Sequence, residues 1–254
     1  MNDFSLDGER AIVTGAGRGI GQAIALGLAR AGASVLLAAR TVEQLTQTRE
    51  LIERDGGASA ILELDLAGRT DFADLVDEAE SELGGDIDIV VHAAGIQRRA
   101  PAEEFPGESW ARVLEVNLSA PFLLSQEVGR RQLARGDRGS HVFIGSLANV
   151  VGTSNAVAYN AAKSGLMGVV RALSKEWSGR GIRVNALAPG FIETAMTEDL
   201  LADAGKRAEL LGRIPMGRFG VPGDLAAPAV FLASGASAYM TGQLLIIDGG
   251  YAAA

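Results

Sequence analysis

Thr14-Gly15-Ala16-Gly17-Arg18-Gly19-Ile20-Gly21 follows an apolar run at 11–14 and precedes an amphipathic stretch at 20–30. An apolar strand, a glycine turn and a helix start, in that order, open a βαβ unit. The turn needs glycine for unusual dihedral angles and for close approach of the backbone. The helix behind it aims its unbonded N–H groups and positive dipole end at the turn, which suits a pyrophosphate. A glycine-rich turn without a ligand is the plain alternative, and the strand–turn–helix context favours the phosphate site. Gly15, Gly19 and Gly21 are spaced G-x-x-x-G-x-G, unlike the G-x-G-x-x-G dinucleotide fingerprint.

Outward from this turn, apolar runs of strand length alternate with stretches of helix length. The runs lie at 11–14, 34–39, 60–64, 87–91, 141–144, 183–188 and 244–247; helices are predicted over 20–30, 42–54, 71–83, 110–135, 156–177 and 224–233. The runs lack polar alternation, as expected of parallel strands covered on both faces. The pattern predicts an α/β fold: a single-domain, Rossmann-like, doubly wound, seven-stranded parallel sheet over 1–254. Thr41 with Gln44 reads as a capping box on the second helix. Residues 189–218 show no clear period, as in many lids and binding loops.

The 254 residues carry a net charge of −8, with 48% hydrophobic and 21% charged residues. An acidic chain without a basic stripe argues against nucleic acid as a partner. With no cysteine in the chain, thiolate chemistry, disulfides and cysteine-ligated zinc are excluded, and neither histidine belongs to a metal motif. No apolar run is long enough to span a membrane, so no membrane partner is expected. The N-terminus lacks a signal-peptide pattern, which leaves the cytoplasm as the expected location.

Tyr159 and Lys163 are four apart on a predicted helix and share a face. A free tyrosine is a poor base at neutral pH, and an adjacent ammonium favours its phenolate. Tyr159 could then exchange a proton with a substrate alcohol. Ser146 should lie at the C-terminal end of the fifth strand, where open α/β sheets bind ligands and where its hydroxyl could polarise a substrate oxygen. A lone Tyr-x-x-x-Lys is usually a surface pair; here Ser146 and the glycine turn stand upstream in a fixed order.

Together these residues resemble the short-chain dehydrogenases/reductases. The family's glycine loop, T-G-x-x-x-G-[IL]-G, matches residues 14–21 through Gly15, Arg18, Gly19, Ile20 and Gly21. The resemblance implies that Asp65 and Leu66 hold the adenine ring. It also implies that Ala94 and Gly95 line the cofactor, and that Pro189, Gly190, Ile192 and Thr194 reach its nicotinamide end. His92-Ala93-Ala94-Gly95 stands where the family usually has Asn-Asn-Ala-Gly. The implied catalytic group is Asn117, Ser146, Tyr159 and Lys163, with Lys163 also on the nicotinamide ribose and Asn117 anchoring a water. The resemblance further implies a homotetramer packed through the long fourth and fifth helices and the last strand.

In dinucleotide folds an acid at the end of the second strand binds the ribose 2′-hydroxyl, and an arginine there accommodates a 2′-phosphate. Here that strand ends Ala38-Ala39-Arg40, with Arg18 a second cation, so NADP is expected over NAD. Gln97-Arg98-Arg99 should face the site mouth, either as solvated residues or with Arg99 gripping a substrate carboxylate. His92 and His141 read as hydrogen-bonded core residues, and Gly249-Gly250 as a turn. The segments at 94–99, 214–220 and 224–232 are similar to the sugar-acid branch of the family. This implies D-gluconate and its 5-keto acid as the first reading, 2-deoxy-gluconate oxidation at C3 as the second and 3-oxoacyl thioester reduction as the third. A nucleotide-binding sensor without catalysis is the alternative of another class; it would be marked by loss of Ser146, Tyr159 or Lys163, and all three are present.

Overall fold

The computed structural model describes residues 3–253. Its elements are β1 (Arg10–Thr14), α1 (Gly19–Arg30), β2 (Ser34–Ala39), α2 (Val42–Arg54), β3 (Ser59–Glu63), α3 (Ala73–Leu83), β4 (Ile89–His92), α4 (Gly107–Leu114), α5 (Ala120–Arg135), β5 (Gly139–Ile144), α6 (Val157–Trp177), β6 (Ile182–Pro189), α7 (Glu198–Ala202), α8 (Ala204–Gly212), α9 (Ala226–Ala233) and β7 (Leu244–Ile247). The seven strands form one sheet in the order β3-β2-β1-β4-β5-β6-β7, and every pair is parallel. The order reverses between β1 and β4, so the loops that follow these two strands open a crevice at the switch point.

Neighbouring strand residues face opposite layers. Val13, Val35 and Leu37 pack with Ile24 and Leu28 of α1 and Ala229 and Leu232 of α9. Ile12, Leu36 and Val90 pack with Val76 of α3 and Leu124 and Val128 of α5. Phe143, Val184 and Ala186 meet Leu166 and Val170 of α6. Both faces of the sheet are therefore buried, which is why its strands read as continuous apolar runs.

Four details depart from the sequence expectation. The helix predicted over 110–135 begins at Gly107 and is broken by a π turn at Glu115–Ser119. Pro121 has no N–H for the Asn117 carbonyl, so the regular ladder cannot run through this point. Residues 189–218 hold α7 and α8, too short for a clear period; α8 is capped by Asp203, whose Oδ1 accepts the Lys206 N–H at 3.0 Å. The Thr41–Gln44 capping box does not form, since Thr41 makes no side-chain cap bond and Gln44 turns instead toward Gly17. The helix predicted from 224 starts at Ala226, after a 3-10 turn at Pro222–Leu225.

At the far end of the sheet Arg183 reaches from β6 to the end of α9. Its guanidinium donates to Leu232 O (2.8 Å), Ser234 O (3.0 Å), Ala233 O (3.2 Å) and Ser237 Oγ (2.6 Å). A cation at a helix C-terminus meets the negative dipole end and takes up its unbonded carbonyls.

Candidate active site

The glycine turn is built by close approach. Gly15 donates to Ala38 O at 2.7 Å, with φ at +70°. A Cβ on Gly15 would stand 2.8 Å from the Ala94 backbone, and one on Gly21 would stand 2.2 Å from Gly15 O. Glycine at both positions is therefore required by space, whatever occupies the cleft. The turn is also tied from behind. Thr48 of α2, fully buried, donates to Ala16 O at 3.0 Å and accepts from Gln22 Nε2 at 2.9 Å.

A cleft of about 810 Å³ opens in front of the turn. Gly15, Arg18, Gly19, Ile20, Gly21, Arg40, Asp65, Leu66, Ala94, Gly95 and Thr194 all line it. Arg18 is the N-cap residue of α1 and makes no side-chain cap bond. Neither Arg18 nor Arg40 has an acidic partner among the described residues. Asp65 lies 4.0 Å from Arg112. A glycine cradle, a helix N-terminus and two uncommitted guanidiniums fit a phosphorylated dinucleotide.

Pro189, Gly190 and Ile192 do not line this cleft. Pro189 ends β6, and Gly190 lies against Asp248. Ile192 is a core residue whose carbonyl accepts from Thr197 Oγ1 at 2.6 Å. Its side chain belongs to the core, which leaves its main chain as the part that could meet a ligand.

Beyond the Gly95–Gln97 wall stand the other candidates. Asn117 sits in the π turn, buried. Its Nδ2 donates to Ile96 O (2.8 Å) and Val113 O (3.0 Å), and its Oδ1 accepts from Ile96 N at 3.1 Å. It thus fixes the wall of the cleft through the main chain.

Ser146 follows β5 in extended backbone and caps a 3-10 turn at Leu147–Asn149. Its Oγ accepts the Ala148 N–H at 3.1 Å, while its N–H donates to Asn149 Oδ1 at 2.6 Å. Asn149 Nδ2 donates in turn to Lys163 O. One asparagine therefore links the serine to the helix that bears Tyr159 and Lys163. That contact is tertiary, and no spacing rule announces it.

Tyr159 is half-buried and hydrogen-bonded to Ser146. Burial pushes its phenol above the ordinary value; the Ser146 bond and the Arg99 guanidinium pull the other way. Lys163 lies with Nζ 5.6 Å from the tyrosine ring centroid and donates to Ile144 O at 2.6 Å. Burial brings Lys163 down to about 8. The expectation that Lys163 holds the phenol down is thus corrected: burial outweighs the opposing influences, and the named ones are Ser146 and Arg99.

Both histidines are core residues, as expected. His92 Nε2 meets Ser125 Oγ at 2.7 Å, and Ser125 Oγ meets His141 Nδ1 at 3.0 Å. His141 Nε2 is 3.0 Å from Gln132 Oε1. Desolvation holds His92 well below its usual range and His141 down to about 3. The helices α7 and α8 rest on a cluster of Leu147, Ile214, Phe219 and Tyr251. Tyr251 meets Phe191 edge-on at 5.1 Å and carries Arg213 4.4 Å above its ring.

A family model described as Enoyl-(Acyl carrier protein) reductase matches residues 15–252. The chain belongs to the short-chain dehydrogenase/reductase family. This short-chain dehydrogenase/reductase is 40% identical to 2-dehydro-3-deoxy-D-gluconate 5-dehydrogenase of Escherichia coli, over 100% of the chain and 99% of the relative. It is 39% identical to a 3-oxoacyl-[acyl-carrier-protein] reductase of Pseudomonas aeruginosa, over 97% and 98%. The gluconate 5-dehydrogenase of Burkholderia cenocepacia, solved with NADP and tartrate, has a TM-score of 0.94 at 37% identity, covering 100% and 98% of the two chains.

Proposed function

We propose that residues 1–254 act as one catalytic domain that interconverts a secondary alcohol and a ketone on a six-carbon sugar acid, with NADP as cofactor. Arg18, Arg40 and the glycine turn would hold the phosphates. When bound, the nicotinamide supplies and takes back the hydride. Tyr159, kept protonated by burial, donates its proton to the oxygen of the ketone as the C–H bond forms. The Ser146 hydroxyl orients that oxygen. The Lys163 ammonium adds positive charge behind the phenol and shares the same helix face. In the oxidation direction the same phenol must first lose its proton and then accept the one from the alcohol.

The observation that carries the substrate class is Arg99. Its guanidinium acts on the Tyr159 phenol, is exposed, and has no acidic partner among the described residues. A substrate carboxylate would be its partner. The sugar-acid names of two of the relatives reported above agree with a carboxylate. D-gluconate with 5-dehydro-D-gluconate is the first substrate pair, and 2-deoxy-D-gluconate the second. The 3-oxoacyl reductase relative keeps thioesters as a third. Wild type and Arg99→Ala are to be assayed spectrophotometrically with NADP and NAD against gluconate, keto-gluconates, polyols and 3-oxoacyl thioesters. Arg99→Ala is expected to raise KM for sugar acids about tenfold or more and leave thioesters unaffected. An unchanged KM for every sugar acid sinks the anchor, a strong NAD preference sinks NADP, and cofactor binding without turnover of any substrate revives the sensor.

A homotetramer in the cytoplasm completes the proposal. A groove of about 590 Å³ between α5 and α6 carries Phe122, Leu133, Val169, Leu173 and Trp177. The edge strand β7 leaves Ile246 exposed. Apolar surface at both places supports packing against further copies.

A further inference from the structure

Asn155 lies in the loop between the Ser146 turn and α6. Among the described residues it is the non-glycine position with positive φ, at 59°. Asparagine tolerates this left-handed region better than most side chains, and β-branched residues fit it worst. Such strain persists only where the surroundings hold it, and it gathers at functional sites.

The surroundings of Asn155 are specific. Its carbonyl accepts the Ala100 N–H at 3.1 Å, and Ala100 directly follows Gln97-Arg98-Arg99. Two residues upstream, Thr153 is clamped to the first turn of α6. Asn160 Nδ2 donates to Thr153 O at 2.7 Å, and Thr153 N–H donates to Asn160 Oδ1 at 3.4 Å. Asn160 adjoins Tyr159. A continuous link thus runs from the tyrosine's helical turn, by way of the Asn160 side chain and the backbone of 153–155, to the loop that carries Arg99. The groups that act on Tyr159 come from three elements: Ser146 after β5 and Arg99 after β4 act on its phenol, and Lys163 on α6 itself stands with Nζ 5.6 Å from the ring centroid.

We propose that Asn155 is a positioning residue. Its left-handed backbone turns its carbonyl onto Ala100 and holds the Arg99 guanidinium opposite the Tyr159 hydroxyl, so that a substrate carboxylate is gripped in register with the reacting carbon. This rests on the reading of Arg99 as carboxylate anchor. The side chain of Asn155 is itself exposed; its backbone conformation does the positioning. That is why glycine, which enters the left-handed region freely, should replace it and valine should not.

The test compares Asn155→Val, Asn155→Gly, Arg99→Ala and the Asn155→Val/Arg99→Ala double variant in full-length protein, with NADPH and 5-dehydro-D-gluconate. Asn155→Val is expected to raise KM about tenfold with kcat and NADPH affinity near wild type. Asn155→Gly should restore the wild-type KM, and the double variant should be no worse than Arg99→Ala alone. A second measurement is the alkaline limb of kcat/KM for ketone reduction on whichever substrate the wild type turns over. Arg99 lowers the phenol pKa, so displacing it moves the phenol's own limb, which lies above the one set by Lys163, to higher pH in both Asn155→Val and Arg99→Ala. If wild type ignores sugar acids, the anchor reading fails while this limb still decides the role of Asn155. A wild-type KM and limb in Asn155→Val, a loss additive to that of Arg99→Ala, or a glycine variant as impaired as valine overturns the proposal. Should the valine variant not fold, Asn155→Ala with the same glycine comparison gives the answer.

Discussion

At the residue scale, the proposed chemistry depends on keeping one proton in place. Tyr159→Phe removes the donor and leaves the ring, so turnover is expected to fall by roughly 10²–10⁴-fold with NADP affinity retained. Kinetics paired with cofactor titration check this, and survival of most of kcat refutes the role. The pH profile follows from the same surroundings. The two histidines are held neutral, so ketone reduction should be flat through weakly acidic pH. It should decline as pH rises through about 8, where Lys163 loses its ammonium while the raised phenol is still protonated. A limb near ~6.5, the ordinary histidine value, would contradict this. Ser146, Tyr159 and Lys163 were legible in the sequence because their order and helical spacing are local. Thr48, Asn149 and Asn155 were not: two act through contacts across the fold, and the third through a dihedral angle that no pattern encodes.

At the element scale, strands and most helices followed the apolar periodicity, and the exceptions share a cause. The π turn at Glu115–Ser119 trades regularity for the placement of Asn117, which a 3.6-residue period cannot register. The helices α7 and α8 gain their order from the cluster beneath them, since helices this short are marginal alone. Arg183 shows the same dependence in reverse, as α9 ends on a guanidinium supplied by a strand. Arg183→Leu removes one donor each from the carbonyls of Leu232, Ala233 and Ser234, although Leu232 O keeps Ser140 Oγ and Ser234 O keeps Ser237. It should destabilise the fold by about 2–4 kcal/mol, read by denaturant unfolding; a change below ~0.5 kcal/mol would show that solvent replaces the arginine.

At the scale of the whole molecule, the sheet order sets where everything else must lie. Reversal between β1 and β4 brings the glycine turn and the Ala93–Gln97 wall together, and β5 adds Ser146 beside them. The sheet and its two layers were legible from strand–helix alternation, whereas the surfaces left over after folding were not. With the α5–α6 groove and the β7 edge as contact surfaces, the proposed homotetramer is expected to weigh as four chains by light scattering. Val169→Glu should yield smaller particles, and a wild-type monomer would refute the assembly.

The last turn of the chain has a practical side. Tyr251 lies beneath α7 and α8, and Met216 N–H donates to Gly249 O at 3.1 Å. Residues 249–251 thus form a foundation under α7 and α8. A change at Tyr251 would be felt in those two helices, whose Leu201, Leu210 and Leu211 share its cluster.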